Sequence, residues 1–209
     1  VVTSLTVLSS SFLRSVEGQV SSAITADFVV DSATFATGGL SADLVPLLRQ
    51  QPGVAAVSGW RVGNASIGLT KWRAAGIDGA SMFELLDLGV EGTPLASAGI
   101  NDVVVSTQVA ERENLQVGQT VPVRFENNAV IPMRVRAIFG SNVRVLLGGV
   151  IVDSTVMAAN LPQSVDVMAF VKLTKDAPVS ATRQAIEVTA KKYGAANVLE
   201  PSELVSKRA

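Results

Sequence analysis

From residue 5 to residue 23, apolar side chains recur every three or four positions: Leu5, Leu8, Phe12, Val16, Val20 and Ala23, with Arg14, Glu17 and Gln19 off that stripe. This period predicts one amphipathic helix. A short strand is predicted next over 26–30, Ala-Asp-Phe-Val-Val, followed by a loop rich in Thr, Ser and Gly over 32–39. Ser41 is placed to cap a helix with the stripe Leu44, Leu47 and Leu48. Pro52 and Gly53 stop that helix near Gln51, because proline lacks the N–H and glycine allows the turn. A strand over 54–62 completes a strand–helix–strand unit. Alternation then carries on through Ile67 and Leu69, and through Trp72, Ala74 and Gly76 in the adjacent strand. Ser81 and Glu84 have the spacing of a capping box for a short helix reaching Leu88, and Gly89, Gly92, Pro94 and Gly99 break the stretch beyond it into loop.

The most informative stretch is 103–140. Val103, Val104 and Val105 form a buried-type strand, and Ser106 or Thr107 can cap a helix with Val109, Ala110 and Leu115 on one side. Gly118 turns the chain. Val121, Val123 and Phe125 then alternate onto one face, Asn127 and Asn128 make a turn, and Ile131, Met133, Val135, Ala137 and Phe139 share a face of the returning strand. Beyond it, 150–152 reads as a strand, Ser154 as the cap of a short helix to Asn160, and 165–173 as a further strand. Asp176 is placed to cap a long helix over 177–193, with Val179, Thr182, Ile186, Ala190 and Tyr193 facing inward and Gly194 closing it. A strand over 197–199 and a helix from Ser202 to Arg208 end the chain. The fold class is therefore α+β: a strand–helix–strand unit at each end and a β-rich insertion between them, the helices on one face of a shared sheet.

Composition removes much chemistry. There is no His and no Cys among the 209 residues, which removes Ser-His-Asp triads, Cys-His dyads and nearly every zinc, copper or haem site. Neither nucleotide-binding glycine fingerprint occurs, nor a G-x-S-x-G elbow or an S-x-x-K dyad. Gly38-Gly39 and Gly148-Gly149 read as plain turns, and the acidic residues are scattered without calcium-loop spacing. No catalytic, cofactor-binding or metal residue is assigned, and no cofactor is expected. A net charge of −1 with a pI near 5.5 argues against nucleic acid as a partner. Lys71-Trp72-Arg73 is one of two dense positive spots, the other being Lys191-Lys192; a solvated face is the plain reading of both. Trp60 and Trp72 read either as core or seam residues or, for Trp72 between its two cations, as an exposed aromatic anchor for a partner protein.

Mean hydropathy is +0.39 with 48% apolar residues, yet no segment reaches the ~20 apolar residues that span a bilayer. Residues 1–13 are uncharged and lack the basic start of a signal peptide. They read as the continuation of a helix leaving a membrane, with a buried core helix as the alternative.

With these segments in order, the chain resembles the extracytoplasmic core domain of ABC-type permeases of the MacB and FtsX-like family. The matching pieces are the leading helix running into Ala-Asp-Phe-Val-Val at 26–30, LLRQQPGVAAV at 47–57, Gly76-Ile77-Asp78, VVVSTQVAERENLQVGQTVPVRF at 103–125, and MRVRAIFG at 133–140. Ala110, Leu115, Val117 and Gly118 stand at the family's positions, while Gln119 replaces a frequent Asp. The resemblance implies a non-catalytic domain on the extracytoplasmic side of the cell membrane, with a membrane-proximal helix over 1–25. It also implies a porter-like part over 26–63 and 141–209, and a sabre-like inserted part over 64–140. Implied partners are a second permease copy, a cytoplasmic ABC ATPase reached through membrane helices, and a protein, peptide or lipid cargo. Lys71, Trp72, Arg73, Glu126, Asn127 and Asn128 are the candidate partner contacts. The other readings are a free-standing extracellular α+β binding or adhesion module and a Ser- or carboxylate-based hydrolase.

Overall fold

A computed structural model of the chain describes residues 23–32, 39–90, 96–140, 147–161, 165–194 and 197–206. In chain order its first elements are β1 (Phe28–Asp31), α1 (Leu44–Arg49), β2 (Val54–Ile67), β3 (Thr70–Ile77) and α2 (Met82–Leu85). β4 (Asp102–Ser106), α3 (Thr107–Glu113), β5 (Thr120–Phe125), β6 (Val130–Phe139) and β7 (Val150–Asp153) follow. The last are α4 (Ser154–Asn160), β8 (Asp166–Leu173), α5 (Val179–Lys192), β9 (Asn197–Leu199) and α6 (Pro201–Ser206). Among the described residues no helix is long and apolar enough to cross a membrane. Apart from Ala23, the helix expected over 5–23 lies outside the described residues, as do Gly38, Gly92, Pro94 and Arg208.

The strands form one mixed sheet in the order β3-β7-β4-β6-β5-β2-β8-β1-β9, and β3 also pairs with β2. At one end of it, β8 lies between β1 and β2 and is antiparallel to both. β1 in turn lies between β8 and β9, again antiparallel to both. Each terminal unit, β1–α1–β2 and β8–α5–β9, is thus opened by a strand of the other, a pair of split βαβ units. Alternation assigns the two faces: Phe28, Val30, Val57, Ala169 and Val171 pack with Leu44, Leu48, Ile186 and Ala190 beneath α1 and α5, so both helices lie on one face, as the pattern of apolar positions predicts. The alternate residues Val29, Trp60, Met168 and Phe170 enter a second core on the opposite face.

The remaining strands close on themselves. β2 pairs with β3 over 61–67 and with β5 over 65–67, and β5–β6, β6–β4, β4–β7 and β7–β3 pairings complete the circuit. Closure removes the exposed edges that such short strands would otherwise present. β2 belongs to both assemblies, which is why it runs through Ile67 instead of ending near Val62. Its 62–64 stretch is only half-buried and carries Gly63 and Asn64, so its alternation is weak. Within the ring, Ala65, Val103, Val105, Val123, Phe125, Met133, Val150 and Val152 form one cluster with Val109 of α3 and Met157 of α4. Val104 and Ile151 point the other way, into the core shared with Trp60 and Phe170.

Local expectations hold where the signal is local. Ser106 Oγ accepts the Val109 N–H at 3.3 Å and caps α3. Gly118 and Asn128 turn the chain in the left-handed region, with φ +89° and 66°. Other helix starts differ. α1 begins at Leu44 after Asp43, and Ser41 Oγ instead accepts the Asp43 N–H at 3.4 Å. The capping box at Ser81 does not form. Among the described residues the buried Ser81 hydroxyl has no partner, and α2 stops at Leu85 because Leu86 is extended and bridges to Ile24. Asp153 rather than Ser154 caps α4, accepting the Thr155 N–H at 2.8 Å. α5 starts at Val179 behind Pro178, not at Ala177 behind an Asp176 cap, which leaves Val179 58% exposed while Thr182, Ile186 and Ala190 are buried as expected.

Candidate functional site

The residues expected to meet a partner come from two hairpins, β2–β3 and β5–β6. β2 carries Asn64 opposite Arg73 and Ala65 opposite Trp72 on one side, and Ala65 opposite Phe125 on the other. That register lays the 126–128 turn along the flank of the β2–β3 hairpin. Glu126 Oε1 accepts from Asn64 Nδ2 at 2.8 Å and lies 3.1 Å from Lys71 Nζ. Asn127 folds its own turn, its Oδ1 accepting the Ala129 N–H at 2.9 Å, and its Nδ2 donates to Asn160 Oδ1 at the end of α4 at 3.1 Å. Asn160 in turn donates to the Val156 carbonyl at 2.8 Å. The outcome is a solvent-facing polar ledge in which Lys71, Glu126, Asn127 and Asn128 are exposed but tied to three elements.

Trp72 is not the exposed anchor of the sharper reading. It is half-buried against the ring core, with Arg112 of α3 5.9 Å from its ring centroid. Arg73 reaches the other way and stands 5.9 Å over Trp60, which is 1% exposed. The two tryptophans therefore act as packing groups, and the exposed side chains beside them are Lys71, Arg73, Glu126 and the two asparagines. Asn64 and Asn160 join the ledge although neither was a candidate in sequence. They sit 62 and 33 positions from their partners, and no local spacing marks such a pair.

The Glu126 carboxyl of the ledge is held below the usual carboxylate range by the Asn64 hydrogen bond first and by Lys71 second. A carboxyl lowered in the folded state stabilises it at neutral pH, and the gain disappears as pH falls through the acid range. Glu126→Gln is therefore expected to flatten the acid limb of the stability profile by less than about 1 kcal/mol, the scale of an exposed pair. Urea titrations at neutral and acid pH check this; an unchanged acid dependence would show that the pair adds nothing.

Among the described residues, no group of three His, Cys, Asp or Glu side chains is placed to hold a metal ion. A groove of about 470 Å³ lies elsewhere, beside Asp27, Phe28, Val179 and Glu200. Its acidic groups are engaged in the fold: Asp27 Oδ2 accepts the Leu173 N–H at 2.7 Å, and Glu200 lies 3.7 Å from Arg183.

A family model described as the MacB-like periplasmic core domain matches residues 1–189. No curated protein matches the chain. The structure is similar to the crystal structure of the periplasmic region of MacB from Actinobacillus actinomycetemcomitans. That match has 15% identity and a TM-score of 0.62, and covers 88% of this chain and 93% of that one. It is also similar to the extracellular domain of the noncanonic ABC-type transporter YknZ from Gram-positive bacteria, at 14% identity and a TM-score of 0.57, over 84% of this chain and 99% of that one.

Proposed function

Because the chain belongs to the family of MacB-like periplasmic core domains, we propose that it couples ATP hydrolysis by a cytoplasmic partner subunit to export or force transmission outside the membrane. The family is one of transporter-permease domains, not of catalysts, and the domain works on the periplasmic or extracellular side. One observation carries the coupling reading. Ala23 and Ile24, which precede β1, are buried in the same core as Leu204 of α6, which follows β9. Movement of the chain on either side of the domain would therefore act on one packed core.

On this reading the split βαβ assembly is the porter-like part and the strand ring the sabre-like part. We assign β7 and α4 to the ring instead of the porter-like part expected over 141–209, because among the described residues β7 pairs with β3 and β4, and α4 packs into the ring core. The ledge at Lys71, Glu126, Asn127 and Asn128 is the proposed contact for cargo or a partner protein, and a second copy completes the assembly. Val16→Pro in the parent complex is expected to leave ATP binding intact and abolish coupled transport; normal transport by that variant refutes the coupling reading. In the same assay, unchanged transport after deletion of residues 126–129 removes the ledge as the contact.

A further inference from the structure

The chain does not pass directly from its first described residues into β1. It is first bonded to α2. The Thr25 and Ala26 N–H groups both donate to the Leu85 carbonyl, at 3.0 and 3.1 Å, and the Asp87 N–H donates to the Ala23 carbonyl at 2.8 Å. Thr25 Oγ1 donates to the Glu84 carbonyl at 2.7 Å, and Ile24 forms an antiparallel bridge with Leu86. Side chains reinforce the backbone: Ala23, Ile24 and Ala26 are buried in the same core as Met82, Leu85 and Leu86. Only after this clasp does Asp27 N–H reach the Val171 carbonyl and β1 begin.

The other side of α2 is bonded to the ring. β3 runs into it through Asp78, and the Gly79 N–H donates to Asp153 Oδ2 at the end of β7 at 2.9 Å. Beyond the helix, the Leu88 carbonyl accepts the Gly140 N–H, just past β6, at 3.2 Å. A short segment held by main-chain bonds on one side, by a main-chain bond and the Asp153 carboxylate on the other, and packed into a shared core moves as a body, since close-packed interiors yield little and pass strain on.

We propose that α2 is a transmission piece that carries displacement of the incoming chain at residues 23–26 into the strand ring, in parallel with the route through β1. This rests on the coupling reading above and specifies its path. Amide hydrogen exchange on the full-length protein tests it. Thr25→Pro removes the Thr25 N–H and hydroxyl donors. Exchange is expected to rise at least tenfold at 82–88, and also at Gly140 and the adjoining ends of β6 and β7. Ile24→Cys with Leu86→Cys supplies the reverse change, with no other cysteine among these 209 residues. Antiparallel bridge partners sit at Cα separations compatible with a disulfide, so oxidation should restore protection in the Thr25→Pro background.

A rise confined to 23–27, or protection that the disulfide does not restore, overturns the proposal. If Thr25→Pro does not fold, the cysteine pair with Thr25→Val gives the same comparison, and equal exchange at Gly140 in the oxidised and reduced forms overturns it. Exchange that spreads as expected while coupled transport is unaltered by either variant counts against the coupling reading and leaves α2 as the link.

Discussion

Replacing Trp60 by alanine is expected to cost about 3–5 kcal/mol of folding stability, the range for truncating a large buried aromatic. Trp60 is 1% exposed and pairs with Met168 across β2 and β8. Its ring centroid is 6.5 Å from that of Phe170, and it lies in the core that also holds Ile77, Val104, Phe139 and Ile151. These neighbours come from both assemblies, so the cavity would open where the split βαβ sheet meets the ring. A site walled by strands of both assemblies collapses poorly, which places the cost toward the upper part of the range. Trp60 Nε1 has no hydrogen-bond partner among the described residues, so phenylalanine forfeits volume but no hydrogen bond. Trp60→Phe should cost less than half as much as Trp60→Ala. Urea unfolding with an unchanged m-value measures both; equal losses for the two variants would mean that the indole N–H, not its bulk, holds the seam.

Gly148→Ala should cost at least about 2 kcal/mol although it adds a single methyl group. Two penalties act together. Gly148 has φ +81°, a conformation that costs a residue with a Cβ about 1–2 kcal/mol. A Cβ there would also stand 2.5 Å from the Arg73 carbonyl oxygen, which is backbone and held by the Gly149 N–H at 2.9 Å. Relief would require β7 to withdraw from β3, breaking the parallel pairing that begins at Ala74 and Val150. Gly194→Ala is the control: its φ is +79° but a Cβ there meets nothing within 4 Å, so it should carry the conformational cost alone. Comparable destabilisation of the two variants would remove the close-approach argument.

The Gly148-Gly149 pair also shows how far local chemistry reaches. Two adjacent glycines in sequence signify a turn, and the chain bends at Gly149 after Gly148 takes φ +81°. The stronger requirement is that β3 and α3 crowd it from both sides: a Cβ on Gly149 would lie 2.8 Å from Val109 and 3.2 Å from Trp72. The partner contacts divide in the same way. The 126–128 turn was legible from its asparagines, and its side chains are exposed as expected. Trp72 was ambiguous because an aromatic between two cations reads equally as an anchor or as a strand residue with alternating polar neighbours, and only the packing of α3 over the hairpin decides. Ser81 misled for a related reason: the capping-box spacing is correct, but the core claims the residue and the helix ends after one turn.

By itself, the sequence determined the kinds and approximate limits of most elements, the faces that alternation buries, the turns at Gly118 and Asn128, the exclusion of histidine and cysteine chemistry, and the family. These depend on periodicity and residue type within a few positions, where the backbone's own geometry decides the outcome. Tertiary structure decided the interleaving of the two βαβ units, the closure of the ring through β2, the ledge that joins Asn64 to Glu126, and the clasp of residues 23–26 on α2. Each of these pairs groups dozens of positions apart in the chain. A strand's period states which side is buried but not which strand lies beside it, and Val103–Val105, apolar on both faces, could have found neighbours in either assembly. In the fold it has them in both: Val104 faces the shared core, and Val103 and Val105 face the ring.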